Sequence, residues 1–335
     1  MSPARILIPA FLCLALCAVG FSQSSAAPVM NAQPRVAIAR SVTPAFDSAS
    51  AGVPVPDLRI DVPLVLVPVH VTTAIGTPVT TLTREHFRLF EDSVEQKITS
   101  FSSEDAPVSV GLLFDLSGSM QDKIDNARAA AFEFLKTANP EDEFFLILFN
   151  DRPKLVTPFT RDPAEIRDGL SSARPRGQTA LLDAIHLAVA QMKHAAYPRK
   201  ALVIFSDGGD NHSRNSEREI KEEMLEGDVQ VYAMGIFERE GVRLRTKEER
   251  GGPRLLADLA EETGGRNFPI RRLDQLSDAC SRIGMELRSQ YLLGYSPANP
   301  ERDGKYRRVQ VTLNPPADLP QLRVWYRTGY RAPIN

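Results

Sequence analysis

Val110 to Phe114 is an unbroken apolar run that stops on Asp115, and Ser117, Gly118 and Ser119 follow at once. A run this short and this apolar suits a parallel strand buried on both faces. A helical period follows at Ile124, Ala127, Ala131, Phe134 and Leu135. The strand therefore delivers one carboxylate and a pair of hydroxyls to the loop at its carboxyl end, where open α/β sheets bind their ligands. All three side chains offer hard oxygen, which suits Mg²⁺, Mn²⁺ or Ca²⁺ better than zinc.

The remaining pattern extends that strand into a sheet. Buried-strand runs recur at 144–149, 202–206 and 229–234, with a short edge strand at 155–157. Helical periods lie between them at 163–170, 182–192, 216–226, 255–262 and 273–288. Asp162 and Pro163 open the first of these helices as cap and first-turn proline. Strands alternating with helices require right-handed crossovers and a mostly parallel sheet covered on both faces. The expected fold class is α/β, a doubly wound and mostly parallel sheet. Glu238 to Arg254 is densely charged with several glycines and reads as a solvated loop.

D-x-S-x-S alone arises by chance in about one chain in ten of this length. Two further features raise its weight. Gly177-Gln178-Thr179-Ala180 opens a helix with a threonine, and the run from Ala201 ends on Ser206, Asp207 and Gly208. This order of D-x-S-x-S, then threonine, then strand-Asp-Gly resembles the von Willebrand factor A (VWA) domain and its metal ion-dependent adhesion site. The resemblance spans about 108–289. It implies a divalent cation, Mg²⁺ before Mn²⁺ or Ca²⁺, held by Asp115, Ser117, Ser119, Thr179 and Asp207. Ser117 and Ser119 then touch the ion directly, Thr179 does so directly or through water, and Asp115 and Asp207 act largely through water. An ion met mainly by neutral hydroxyls keeps much of its charge and a place for a foreign oxygen, so the implied partner is a protein's Asp or Glu carboxylate. Each residue has a plain alternative as a helix cap; the ordered set favours the metal.

The flanks are β-rich. Leu58 to Val71 alternates, and Pro63 and Pro68 within it suggest an edge strand. Thr83 caps a short helical turn, followed by strands at 87–90 and 96–101. Beyond the α/β pattern, strands are expected at 290–295, 306–313 and 322–326. Neither flank alone is large enough for a convincing core. The flanks at 58–105 and 290–335 are therefore expected to pair into one small β-rich domain with the VWA domain, 106–289, inserted. Pro78-Val79-x-x-Leu82-Thr83-x-x-x-Phe87 before the A domain resembles a group of exported bacterial VWA-related proteins.

Arg5 followed by the apolar stretch Ile6 to Val19 reads as a secretory signal over 1–27, cleaved after small residues near Gly20 or Ala26. The stretch is short for a membrane span, so an exported protein without a stable span is expected. Residues 28–57 read as a linker rich in Ala, Ser, Pro and Val. Of the 3 cysteines, Cys13 and Cys17 leave with the signal. Cys280 then stands alone on an apolar helical face as a core residue. With 40 Lys and Arg against 42 Asp and Glu, the chain lacks the basic balance of a nucleic-acid binder.

No G-x-S-x-G, P-loop or H-E-x-x-H motif occurs in the sequence, so no enzymatic activity is expected. Two alternatives remain open. One is self-assembly through the same site, with acidic residues of 238–254 as ligands. The other is a metal-dependent hydrolase, for which neither aspartate looks free to act as base.

Overall fold

The structure is a computed structural model. It describes residues 64–103, 105–237, 247–316 and 319–334, with the backbone alone over 247–250. The signal, its two cysteines, the linker, the strand start at 58–63 and residues 238–246 lie outside the described residues.

The chain begins in β-structure. β1 (Val65–Thr73) is followed by a 3-10 turn (Arg84–His86) with Thr83 as its N-cap. β2 (Phe87–Glu91) and β3 (Val94–Gln96) form a hairpin whose turn residues Asp92 and Ser93 have positive φ, as such tight hairpins require. β4 (Ile98–Ser102) follows. The single strand expected at 96–101 is thus two strands, and Lys97 lies between them as the chain passes from one sheet to another.

The α/β part follows, alternating strand and helix except for one pair of successive strands and one pair of successive helices. β5 (Ser109–Asp115) leads through a 3-10 turn (Gly118–Met120) to α1 (Ile124–Lys136). Then come β6 (Glu143–Phe149), β7 (Pro153–Thr160), α2 (Pro163–Ser171), α3 (Leu181–Met192) and β8 (Lys200–Ser206). α4 (Glu217–Glu226), β9 (Val229–Ile236), α5 (Lys247–Thr263), β10 (Arg266–Ile270) and α6 (Leu276–Arg288) complete it. The strands form a 6-stranded sheet in the order β10-β9-β8-β5-β6-β7. Every pairing in it is parallel except that of β7, which runs antiparallel on the edge. The doubly wound α/β class expected from the sequence is what the chain adopts.

Burial explains the layers. Val110, Leu112 and Phe114 of β5 face one way, into a core with α1, α2 and α6. Leu113 faces the other way, into a core with α3, α4 and α5. Cys280 is fully buried in the first core, its thiol pushed up by desolvation and 3.3 Å from the Met234 sulfur.

α5 starts earlier than expected. The charges and glycines before Leu255 hide its period, yet it takes in Gly251, Gly252 and Pro253. β10 is an addition as well. Its sequence Arg-Asn-Phe-Pro-Ile buries only Phe268 and Ile270, so it carries no continuous apolar run.

The chain ends in β-structure: β11 (Tyr291–Tyr295), β12 (Tyr306–Leu313), β13 (Leu322–Tyr326) and β14 (Gly329–Arg331). These join the first strands in two 4-stranded sheets, β13-β1-β11-β4 and β14-β12-β2-β3. Both sheets contribute to one core, including Val67, Val69, Leu89, Tyr291, Leu293, Val309 and Val311.

β1 is internal, which corrects its reading as an edge strand. β11 pairs with its first half, up to Val69, and β13 with its second half, from Val69 onward. Pro68 lies before the β13 pairing begins, so one side of the chain at that point lacks a strand neighbour, which is where a proline is tolerated. β4 and β11 are antiparallel neighbours. The α/β part leaves from one and returns to the other, so its insertion needs no distortion of the β sheets.

Candidate functional site

The first crossover runs from β5 to β6 on one side, and a later one places β8 on the other side of β5. The winding reverses at the carboxyl ends of β5 and β8, the place where open α/β sheets bind their ligands. Asp115 ends β5 and Asp207 follows the last residue of β8.

Asp115 is fully buried and ties this rim together. Its Oδ1 accepts from the Ser117 amide at 2.8 Å, and its Oδ2 accepts from the Ser206 hydroxyl at 2.6 Å. Ser206 Oγ in turn accepts from the Gly208 amide at 2.9 Å. One carboxylate thus fixes two loops. The hydroxyl oxygens of Ser117 and Ser119 lie 3.1 Å apart, Ser117 buried and Ser119 exposed.

Backbone bonds bring in the Thr179 loop. The Gly118 amide donates to the Gly177 carbonyl at 3.0 Å, and the Arg176 amide to the Leu116 carbonyl at 2.6 Å. Gly177 has φ +81°, and a side chain on it would collide with the Asp151 carboxylate. Thr179 is buried. Its amide donates to Asn211 Oδ1 at 2.9 Å, and its carbonyl accepts from the Asn211 and His212 amides.

Thr179 does not cap α3. The N-terminal amides of that helix are instead met by Asp210 at Leu182 and by the Ser213 hydroxyl at Asp183. Side-chain bonds join Asp115 to the Ser117 segment and to the Ser206 segment, whereas Thr179 is set by its loop.

Asp207 completes the rim. Its Oδ2 is 3.3 Å from the Lys123 ammonium, and its Oδ1 is buried without a hydrogen-bond partner. Desolvation, reinforced by the Asp207 charge, pushes the Asp115 carboxyl up to about 7, against the hydrogen bonds from Ser117 and Ser206. Among the described residues, two carboxylates thus share this rim with a single ammonium, that of Lys123 beside Asp207. An orphaned carboxylate oxygen on Asp207 and the paired hydroxyls of Ser117 and Ser119 are all hard oxygen donors, which suit a hard divalent cation better than zinc. Among the described residues no group of three His, Cys, Asp or Glu gathers as a metal site; this rim depends on hydroxyls as well as carboxylates.

Sequence reasoning missed Ser206 and Lys123. Ser206 directly precedes the predicted site residue Asp207, and that adjacency was the available signal. Lys123 lies one residue before α1, at the hinge between the serine loop and the first helix.

The class is thus an open α/β domain with a hydroxyl-and-carboxylate rim at its winding reversal. Residues 110–209 match the family model of the von Willebrand factor type A domain. The chain therefore carries a von Willebrand factor type A domain over this stretch, and the D-x-S-x-S segment falls inside it.

Among solved structures, the chain is similar to an aerotolerance-related membrane protein from Bacteroides fragilis. That likeness has 21% identity, 54% of this chain and 98% of that one covered, and a TM-score of 0.44. It is also similar to BatB from Bacteroides thetaiotaomicron, with 19% identity, 54% and 100% covered, and a TM-score of 0.43. A von Willebrand factor type A protein from Catenulispora acidiphila is similar at 13% identity, over 82% of this chain and 74% of that one, with a TM-score of 0.47. No curated protein matches the chain in sequence.

Proposed function

We propose that this chain is an exported binding module that holds an acidic group of a protein partner through a divalent cation, Mg²⁺ before Mn²⁺ or Ca²⁺. One observation carries the reading. Asp115 and Asp207 share a desolvated rim, and Asp207 Oδ1 is buried there with no partner. A net negative charge kept out of water is costly unless a cation or proton meets it.

Ser117, Ser119 and Thr179 hold the ion with their hydroxyl oxygens, and Asp115 and Asp207 supply the charge. When bound, the ion offers a Lewis-acidic coordination place to a carboxylate. The chain's own residues do the rest. Ser206 and the Ser117 amide orient Asp115, and Asn211 fixes the Thr179 loop.

The serine hydroxyls bond to each other rather than to a histidine, which favours binding over hydrolysis. Export is proposed from the basic and apolar start of the sequence. Among the described residues no helix is long and apolar enough to cross a membrane. The self-assembly alternative places acidic ligands in 238–254; residues 238–246 lie outside the described residues, and nothing in the remainder favours it.

Titration calorimetry with Mg²⁺ and Mn²⁺ on the wild type and on Asp207→Ala tests the reading, alongside capture of partners from the source cell with and without chelator. The expected result is divalent binding by the wild type, none by the variant, and capture that chelator abolishes. A wild type that binds neither ion overturns it.

A further inference from the structure

Lys123 is a buried cation in a site proposed for another cation. Only 10% of its side chain is exposed, and its ammonium lies 3.3 Å from Asp207 Oδ2. Lysine is rarely buried to this degree unless paired, because desolvating an ammonium is expensive. Its backbone is fixed as well. The Lys123 amide donates to the Met120 carbonyl and its carbonyl accepts from Ala127, so the residue is anchored between the serine loop and α1.

The charge count shows what this placement does. With both carboxylates ionised, as a divalent ion would hold them, Asp115 and Asp207 carry two negative charges and Lys123 one positive, so these three groups sum to minus one. A divalent ion brings it to plus one. Without Lys123 the same ion would bring it to zero. One negative charge from outside, such as a carboxylate, restores neutrality only while Lys123 is present.

We propose that Lys123 is a built-in counter-charge that couples the cation to its acidic ligand. Its ammonium competes with the divalent ion for Asp207, so the ion alone binds weakly. Once the ion is bound, the surplus positive charge favours an anion, so ion and carboxylate bind as a cooperative pair. By linkage each strengthens the other by the same factor. This rests on the cation reading of the rim and adds to it the residue that makes the module demand an acidic partner.

The test is calorimetric titration of Mn²⁺ into wild type, Lys123→Met and Lys123→Arg, each with acetate or with chloride at equal ionic strength. A charge removed at this separation in a partly desolvated site changes affinity by at least about tenfold. Lys123→Met should therefore bind Mn²⁺ alone at least about tenfold more tightly than wild type. Acetate should tighten Mn²⁺ binding to wild type and to Lys123→Arg but not to Lys123→Met. In chelator, Lys123→Met should melt below wild type, since Asp207 has lost its only ammonium among the described residues, and Mn²⁺ should close that gap. Lys123→Gln serves if the methionine variant does not fold.

Equal or weaker Mn²⁺ binding by the uncharged variants, with wild type still binding, overturns the counter-charge and leaves the cation reading standing. No Mn²⁺ binding by wild type or by any variant overturns both.

Discussion

At the carboxyl ends of β5 and β8, the carboxylates of Asp115 and Asp207 have one ammonium near them among the described residues, Lys123 beside Asp207; at the opposite, amino ends of the parallel strands, buried charge is handled differently. Arg266 opens β10 and pairs with Glu286 of α6, its guanidinium over the rings of Phe268 at 4.8 Å and Trp325 at 4.9 Å. Arg288 pairs with Asp142 and, at 3.3 Å, with Asp105. Gln290 donates to Gln230 at 2.7 Å where β11 leaves the α/β part. This floor has orphaned atoms too, on His70, Trp325, Glu286 and Arg288. They belong to neutral groups or to charged groups that already have a counter-ion, Arg266 for Glu286 and Asp142 for Arg288. Burial and the Arg266 charge hold His70 down at about 3, so its ring stays neutral. The floor balances its charge internally and thereby fixes the β sheets to the α/β part. The rim keeps a negative remainder, which is a liability for folding and an asset for binding.

The largest test of this contrast is Arg266→Ala. Above pH 7, where the Glu286 carboxyl is ionised, it leaves Glu286 buried without its counter-charge, for which a loss of about 3–5 kcal/mol is expected. Denaturant midpoints measure it, and adding Glu286→Gln should recover part of the loss. Cation binding by the folded protein should not change. If the single variant costs no more than a surface substitution, the floor does not work by internal pairing.

Asp115→Asn is the converse at the rim. It removes one of two like charges from a dry site, so stability in chelator should hold or rise. Added Mn²⁺ should stabilise wild type by about 2.7 kcal/mol at a hundredfold excess over its dissociation constant, and the variant by nothing. Melting in chelator against melting in Mn²⁺ reads both. A variant much less stable than wild type in chelator would mean that Asp115 is structural first.

Gly208→Ala probes how the rim is shaped. Gly208 has φ +75°, and its Cβ would come within 2.6 Å of the Gly252 carbonyl oxygen in α5. A cost of about 1–3 kcal/mol is expected for forcing a side chain into that backbone conformation. Hydrogen exchange should quicken in the first turns of α5, and unchanged exchange there would show that the contact is dispensable.

These residues also mark what the sequence made legible. The strand-loop pattern at 110–119 and 201–208 is local, so the parallel sheet and the rim aspartates could be read directly. The floor could not. Arg266, Glu286 and His70 come from β10, α6 and β1, and no spacing rule links positions so far apart. β10 lacks an apolar run because Arg266 and Asn267 are polar and Pro269 is exposed. The internal place of β1 depends on β11 and β13, more than two hundred residues away. Lys123 was hidden for another reason, since a lysine before a helix is ordinarily a solvated one.

The smallest effect, taken per pH unit, is the pH response of the floor. Burial lifts the Glu286 carboxyl from 4.5 to about 7, against the charge of Arg266. The native chain therefore holds a proton that the unfolded chain has released, and this contribution to stability is present below about 4.5 and lost as pH rises toward 7. His70 falls from 6.5 to about 3, so the unfolded chain takes up a proton that the native ring refuses. Its contribution is present above 6.5 and lost as pH falls. Between 4.5 and 6.5 the two trends oppose each other, because native and unfolded chains each hold one proton across the pair. In that window His70→Phe, measured as a difference from wild type, should become less stable with rising pH by up to about 1.4 kcal/mol per pH unit. Glu286→Gln should show the opposite slope. Denaturant midpoints across the window decide it: parallel profiles for wild type and both variants would mean that neither group changes its protonation between the two states.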